Sequence, residues 1–439
     1  MDNAMGKNGI VRVVIVGCGD RGMIYGREAH SRKGQFKIVG IAEPDPARRA
    51  AAAAAFGLPP DRCMADADDV AREPKFADAI FNCTMDALHV ETSLPLLRKG
   101  YDMLLEKPIA PTRDGAKRLL ACANETGRTV MVCHVLRYAP FYAEIKRRVL
   151  RGDIGRIVTV QMAEQVSYFH SSVAYVRGKY ADPEICGSGL LLSKCSHDID
   201  LMAWLLEGNL PNAVYSAGSV LPFRTENAPA GATVRCLPDC PHVATCPYSA
   251  PRLYIDHPQR WARRVWNDCG LADADDAAKL ESLRDPSNPY GRCVYRTGLK
   301  VVDHQSVLVS FADGATGTFT VTGGAAAPER TIRLVGTKGE IEGRMEGQSF
   351  TVSLIDPAAP GGCTRELVDV SAIQKGDAHG GGDARILDDF HALLTGKKPS
   401  ICCTSLTSSL VGHDIVYSAE EFRSANGIRV VSGYTGISR

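Results

Sequence analysis

Residues 11–16, VRVVIV, form an unbroken apolar and β-branched run, as expected of a strand covered on both faces within a parallel sheet. Apolar runs at 37–42, 78–83, 102–105 and 129–133 follow, separated by stretches with helical spacing at 46–56, 88–99 and 113–126. Strands alternating with helices of this length predict a doubly wound parallel sheet over residues 1–135. The pattern changes over 136–439, which reads as a second domain. A helix is expected over 190–204. Segments at 301–311, 316–322, 331–335, 339–342 and 350–355 alternate or run apolar between Gly and Asp turns, which predicts antiparallel strands. A helix from about 384 to 394, a last helix over 404–424 and a short closing strand at 428–431 complete the expectation. Residues 222–298 break the strand progression with Pro, Arg and aromatic residues and read as an insertion.

The first apolar run leads directly into Gly17-Cys18-Gly19-Asp20-Arg21-Gly22. In such a strand-to-helix turn the first glycine permits the tight bend and the second lets a pyrophosphate approach the backbone. The third lets the helix pack closely on the strand, and the helix N-terminus supports the negative charge. Glu43 ends the second strand, 26 positions after Gly17. An acidic group there accepts hydrogen bonds from the adenine ribose hydroxyls and repels a 2′-phosphate, favouring NAD over NADP. A solvated turn residue is the plainer reading of Glu43, and the neighbouring Arg48 and Arg49 are able to meet a phosphate. Ligands of doubly wound sheets bind beyond the carboxyl ends of the strands; Thr84, Asp86, His89, Glu106, Lys107 and His134 fall there.

Composition narrows the function classes. The chain has 439 residues, 45% hydrophobic and 23% charged, with a net charge of +1. Near neutrality argues against nucleic-acid binding, which needs a basic excess. No apolar run approaches the roughly 18 to 20 residues that span a bilayer, and the polar start MDNAMGKNGI lacks a secretory layout, so a cytoplasmic location is expected. In a reducing compartment the fifteen cysteines are expected to be free, catalytic or metal-bound.

Leu104-Leu105-Glu106-Lys107-Pro108, the glycine loop, Thr84 with His89 five residues on, a later helix carrying His197 and the turn Arg151-Gly152-Asp153-Ile154-Gly155-Arg156 together resemble the Gfo/Idh/MocA family of oxidoreductases. The resemblance implies an α/β protein: an N-terminal Rossmann domain, and a C-terminal α/β domain with a large, mostly antiparallel, open-faced sheet that forms homodimers or homotetramers. C-terminal residues are expected to pack back partly on the first domain. The nicotinamide ring would lie between the domains, with Gly17, Gly19, Asp20, Arg21, Gly22, Glu43, Thr84, His89, Glu106 and Lys107 as the NAD-binding set. Lys107 and His197 would be catalytic, His197 as general base, and the Lys107-Pro108 bond is commonly cis in the family. A lysine beside a bound cationic cofactor has its proton affinity lowered, which suits it to donate to or steer a substrate hydroxyl.

Helical spacing puts Ser193, Lys194 and His197 on one face. Sugar and inositol dehydrogenases of the family commonly carry Asp four residues before this histidine, and this chain has Ser193. Asp200 is one candidate to orient the imidazole in its place, and Lys194 joins the catalytic set, to bind an anionic or keto oxygen and to position or acidify the substrate. A departure of this kind accompanies divergent chemistries in the family, including NAD-dependent glycoside cleavage through transient sugar oxidation and elimination. The leading expectation is therefore an NAD-dependent oxidoreductase acting on a carbohydrate or cyclitol hydroxyl. Glycoside cleavage and a sensor of NAD or sugar without turnover are the alternatives.

Within the insertion, Cys236, Cys240 and Cys246 are turned by prolines, and Cys293 follows later. Four such thiols suit a structural zinc site, with His242 or Cys269 as alternative fourth ligands. Reduced thiols in an irregular loop are the competing reading. Tyr and Trp of the same insertion form either a wall for a sugar ring or ordinary packing. His379-Gly380-Gly381-Gly382-Asp383 has the make-up of a loop closing over substrate, with Asp383 alternatively a helix cap. Asp303-His304-Gln305 is a further candidate for facing the site.

Overall fold

The computed structural model describes residues 9–257, 259–374 and 379–425, so the strand expected at 428–431 lies outside the described residues. The first domain is built on β1 Val11–Val16, β2 Phe36–Ala42, β3 Cys63–Met64, β4 Ala79–Asn82, β5 Asp102–Leu105 and β6 Val130–Val132. These pair in the order β3-β2-β1-β4-β5-β6, every pair parallel. Helices α1 Asp20–Ser31, α2 Pro46–Phe56, α3 Ala67–Arg72, α4 His89–Arg98 and α5 Arg113–Thr126 make the crossovers. Strand order reverses between β1 and β4, which opens the crevice where such sheets take dinucleotides. Local chemistry sets the helix limits. α2 starts where Asp45 accepts the Arg48 N–H at 2.8 Å and ends at Gly57 with φ of 64°. The short β3 and α3 were not expected, because two strand residues carry no readable period.

The second domain comprises α6 Pro140–Arg151, β7 Ile157–Ser167, α7 Tyr168–Ser171, α8 Pro183–Cys186, α9 Leu190–Leu205, β8 Pro211–Ser219, α10 Ala262–Asp268 and α11 Asp276–Arg284. Strands β9 His304–Phe311, β10 Thr316–Ala325, β11 Glu329–Gly336, β12 Gly339–Arg344, β13 Ser349–Ile355 and β14 Cys363–Asp369 follow, then α12 Gly382–Leu394 and α13 Leu406–Ser424. The eight strands run β14-β13-β12-β11-β7-β10-β9-β8. Only β7 with β10 is parallel; the other pairs are antiparallel. β7, β8 and β14 were not predicted. β7 buries Glu164 on its inward row and turns Val158 outward, and β14 is an exposed edge carrying Arg365 and Glu366, so neither shows a clean alternation. The insertion gathers its own small core from Leu253, Tyr254, Val265, Trp266, Leu283 and Tyr290, with Val173 of the main body.

α9 joins the two halves and is buried along its whole length. α13 lies directly on it at Gly412, where a Cβ would stand 2.9 Å from the Cα of Asp200. From the turn after β6, Arg137 donates through Nε and Nη2 to the Asp200 carboxylate at 2.7 and 2.6 Å. Its Nη1 reaches the Cys403 carbonyl at 3.2 Å. α13 is seated on the first domain by Ile109 N–H donating to His413 Nε2 at 2.9 Å and by Tyr417 OH donating to the Ala110 carbonyl at 2.7 Å. Among the described residues no helix is long and apolar enough to cross a membrane.

Arg137 and Asp200 are 1% and 0% exposed, and a buried charge stripped of its partner is strongly destabilising. Asp200→Asn is expected to lower stability by about 3–5 kcal/mol in urea unfolding. The double change Arg137→Met with Asp200→Leu should recover most of that loss; a single-variant loss under about 1 kcal/mol would show that the pair carries no such burden.

Candidate active site

The glycine loop has the geometry its spacing requires. Gly17 has φ of 89°, and a Cβ there would stand 2.6 Å from the Cys83 carbonyl oxygen; a Cβ on Gly22 would stand 2.0 Å from the Gly17 oxygen. At Gly19 a Cβ would meet nothing within 4 Å. Gly19 also begins α1 with no side-chain cap, and Asp20 sits in the first turn. An open backbone surface at an uncapped helix N-terminus fits a pyrophosphate, so these residues fit the dinucleotide that the fold implies. Glu43 has protein partners at this loop. Its Oε2 accepts the Cys18 N–H at 2.8 Å, and its Oε1 accepts from Arg48 Nη2 at 2.8 Å. Arg49 instead binds the Glu43 and Pro44 carbonyls.

Behind the loop, Arg21 is held by two carboxylates, with Nε on Glu106 at 2.7 Å and Nη2 on Asp383 at 2.5 Å. Glu106 also accepts the Lys107 N–H at 2.9 Å. Burial alone would push the Glu106 carboxyl up, but Arg21 and Lys107 hold it below its ordinary value. Asp383 likewise resists burial through its bonds to His379 and Arg21 and stays well below the carboxylate range. His89 joins two strand ends: its ring nitrogens face the Pro108 and Thr84 carbonyls at 2.6 and 3.1 Å. Thr84 Oγ1 bonds Asn82, Asp86 accepts from Ser188 Oγ at 2.6 Å, and the Lys107-Pro108 peptide is cis.

Lys107 Nζ donates to the Ser193 carbonyl on α9 at 2.5 Å, which brings it to the first turn of the helix that carries His197. Burial lowers the proton affinity of Lys107, with Glu106 and Asp86 opposing. His197 is pushed well below its ordinary value by burial, and then by Lys107, His134 and His379, so its imidazole is neutral, with an open lone pair, at neutral pH. Its buried Nδ1 has no hydrogen-bond partner. Two rings flank it: His134, edge-on at 5.6 Å, and His379, tilted at 5.7 Å. His379 in turn bonds Asp383 at 3.0 Å.

Two family models match the chain: "Oxidoreductase family, NAD-binding Rossmann fold" over residues 11–134, and "GFO/IDH/MocA C-terminal domain" over 142–238. The chain belongs to the Gfo/Idh/MocA family. It is 24% identical to putative oxidoreductase YteT of Bacillus subtilis over 386 residues, 83% of each chain. It is 28% identical to inositol 2-dehydrogenase 4 of Saccharopolyspora erythraea over 230 residues, 52% of this chain and 62% of that one. Among solved structures, levoglucosan dehydrogenase in complex with NADH superposes with a TM-score of 0.67 at 19% identity, covering 94% of this chain and 98% of the other. An inositol dehydrogenase homologue of Azotobacter vinelandii complexed with NAD+ gives 0.66 at 16% identity, covering 95% and 96%. The protein is thus an NAD-binding oxidoreductase of the Gfo/Idh/MocA type.

Against that family pattern, several expected site residues take other partners. Ser193 Oγ donates back to the Gly189 carbonyl one turn earlier in its own helix at 2.8 Å. Lys194 leans away to β7 and pairs with Glu164 at 2.8 Å; Glu164 pairs with Arg330 at 2.5 Å, and Arg330 with Asp198 at 3.1 Å. Asp200 is spent on Arg137, and its nearest imidazole is that of His134, at 3.8 Å. Asp303 accepts from Leu221 N–H and pairs with His304, and Gln305 bonds Glu420, all within the sheet framework. Sequence reasoning missed Glu164, Arg330 and His170. The last stacks on Trp261 of the insertion at 3.8 Å. No local pattern marks them, because each acts through a partner distant in the chain.

All fifteen cysteines are free thiols. Among the described residues no group of three His, Cys, Asp or Glu side chains is arranged to hold a metal ion, so the zinc ligands expected at Cys236, Cys240, Cys246 and Cys293 are not gathered. Neutral thiols do not attract one another, and nothing in the protein alone draws them to a common centre. The four do line one cavity together with His242, while Cys269 lines a different one.

His413 is held down to about 3, chiefly by burial and then by His134, and burial likewise depresses His134, His170 and His197. In the unfolded chain a histidine takes up its proton as pH falls through about 6.5, whereas these do not, so stability is lost as pH falls below that value. At pH 5 His413 removes about 2 kcal/mol relative to pH 7.5. Asp198, raised to about 6 mainly by burial, works in the opposite direction by roughly 1 kcal/mol. The readout is therefore a difference between proteins: in denaturant titrations at the two pH values, His413→Gln should shrink the acid loss by about 2 kcal/mol. An unchanged loss would place the proton elsewhere.

Proposed function

We propose that the protein oxidises a hydroxyl of a carbohydrate or cyclitol, with NAD as the hydride acceptor. The observation that carries this reading is the convergence of a neutral, buried His197 with the Lys107 amine, which is tied to the same helix through the Ser193 carbonyl. His197 takes the hydroxyl proton on its imidazole. Lys107 spends one N–H on Ser193 and keeps two to polarise the substrate oxygen and stabilise it as charge develops. Glu106 fixes the Lys107 backbone and Arg21 together, which orients the amine with no rearrangement at the moment of reaction. Lys194, anchored by Glu164, is suited to position a further substrate oxygen. At the other end of the crevice, Glu43 supports the preference for NAD over NADP. Solved relatives bound to levoglucosan and to myo-inositol support the substrate class. Exposed Val158 and Leu308 on the eight-stranded sheet support assembly of copies through its open face.

One observation favours a second reading, NAD-dependent glycoside cleavage. His379, paired with Asp383, is a second imidazole beside His197. Elimination from an oxidised sugar needs a base for the neighbouring carbon in addition to the base for the hydroxyl.

His197→Ala and Lys107→Ala are each expected to lower kcat on an accepted sugar by about 10²- to 10⁴-fold, with NADH affinity, followed by fluorescence, nearly unchanged. Turnover within about threefold of wild type would end the proposal for that residue. Aryl glycosides with catalytic NAD+ separate the two readings: sustained aglycone release without matching NADH supports cleavage, and stoichiometric NADH supports net oxidation.

A further inference from the structure

Two cations of the second domain are held together without a counter-ion. Lys179 and Arg264 are both half-buried and share one aromatic ring, with Lys179 Nζ 5.6 Å and Arg264 Cζ 5.7 Å from the centre of Tyr180. Among the described residues the Lys179 amine bonds only a thioether, Met85 Sδ at 3.1 Å. The Arg264 guanidinium has no hydrogen bond or ion pair among them, and none of its nitrogens is sealed from solvent. Two nearby carboxylates have hydroxyl partners instead: Asp86 accepts from Ser188 at 2.6 Å, and Asp268 accepts from Tyr290 at 2.6 Å. Like charges brought together at partial burial repel, and an anion between them would turn that cost into attraction.

Their location says which anion. Met85 stands in the turn directly after β4, beside the crevice where strand order reverses between β1 and β4. The segment that carries Lys179 is seated on that turn: Ser188 bonds Asp86, and a Cβ on Gly187 would stand 2.9 Å from the Ala87 Cβ. Asp20, which begins α1 next to Gly19, is near enough to act on both cations. Burial and then Arg264 lower the proton affinity of Lys179, against Asp268, Asp86 and Asp20; Tyr180, Asp268 and Asp20 hold up that of Arg264 against burial. One turn further along α10, Asp268 also supports the charge of Arg48, whose carboxylate partner is Glu43. The helix therefore lies beside the first domain between the glycine loop and Glu43, the path a dinucleotide follows from its pyrophosphate to its adenine ribose.

We propose that Lys179 and Arg264 bind the pyrophosphate of NAD from the side opposite the glycine loop, which makes the insertion the second wall of the cofactor site. The loop itself offers backbone N–H groups and a helix N-terminus. Its one cation, Arg21, is taken by Glu106 and Asp383, so the cradle has no free positive charge of its own. A pyrophosphate carries two negative charges, which one ammonium and one guanidinium match. Arg264 would meet it with a planar fork of donors and Lys179 as a point charge. Bound there, the dinucleotide ties the insertion to the first domain, and its release requires both contacts to break.

The test uses the full chain and needs no substrate, so its result is independent of which hydroxyl is oxidised. Arg264→Gln and Lys179→Gln should each raise the NADH Kd, followed by nicotinamide fluorescence, at least about tenfold, and each should flatten its dependence on salt. ADP-ribose, which keeps the pyrophosphate, should lose affinity in the same proportion, whereas adenosine, which has no phosphate, should compete equally well against all forms. Arg263→Gln, at the exposed neighbouring position of α10, should change nothing. If the glutamine variants do not fold, hydrogen exchange of the wild type decides, since NADH must slow exchange over 176–180 and 262–268. NADH and ADP-ribose affinities within about threefold of wild type, an equal loss for adenosine, or exchange over 262–268 untouched by NADH would each overturn the proposal. So would a raised KM for an acidic sugar at unchanged NADH affinity, which would assign the two cations to substrate.

Discussion

The bidentate pair of Arg137 with Asp200 is the constraint on which the arrangement of the site rests. It is buried at the point where the last strand of the parallel sheet gives way to the second domain. A buried ion pair adds little net stability compared with apolar packing, but one geometry alone satisfies both carboxylate oxygens, so it selects a single docking of the groups that carry it. Those groups are the turn after β6 and the middle of α9. Ser193 and His197 lie on the same helix as Asp200, so fixing the rotation and depth of α9 at Asp200 also fixes where Lys107 finds the Ser193 carbonyl and where His197 faces. Gly412 enforces the same answer from the other side, since a side chain there would push α13 off Asp200.

A second charge network couples this docking to the cofactor loop. Arg21 is part of the glycine turn, Glu106 is bonded to the backbone of Lys107, and Asp383 opens α12. One guanidinium thus links the glycine loop, the strand end that carries Lys107 and the loop that brings His379 to His197. In a low-dielectric setting each member keeps its charge only because the others do, which is why both carboxylates stay ionised despite burial. Removing one would disturb the cradle and the imidazole neighbours at the same time, although no single contact spans that distance.

The first domain was legible in sequence because its signals are local: a β-branched run, three glycines in a fixed spacing, a capped and glycine-stopped helix such as 46–56. The pair proposed as catalytic, Lys107 and His197, was legible through family resemblance. What the sequence could not show were partners set by tertiary approach. Ser193, Lys194 and His197 do share a helix stretch, but the chain had no way to announce that Glu164, on a strand with a mixed alternation, would draw Lys194 toward the sheet. Nor could it announce that Asp200, one turn from His197, would be claimed by Arg137. A carboxylate does stand near the imidazole, but 186 positions after His197: Asp383, bonded to His379, whose ring lies 5.7 Å from that of His197. Charge partners at such separations leave no periodicity in either segment.

The insertion bears on the site through a single thin layer. Residues 168–176 pack on the insertion's core, where Val173 is buried in it and His170 stacks on Trp261. Trp261 itself sits in a left-handed conformation with φ of 67°, which a bulky residue holds only when its surroundings impose it. The stacked contact therefore depends on the insertion holding its shape, and an irregular segment of turns and short helices has few regular backbone ladders with which to do so. Arg177 lies one residue beyond this layer and reaches into the cysteine cavity. Through its bonds to the Arg292 and Tyr248 carbonyls and to Cys236 Sγ, Arg177 ties this segment to the insertion from the side opposite its chain neighbours, so the surface on which Trp261 and His170 meet is fastened at both ends.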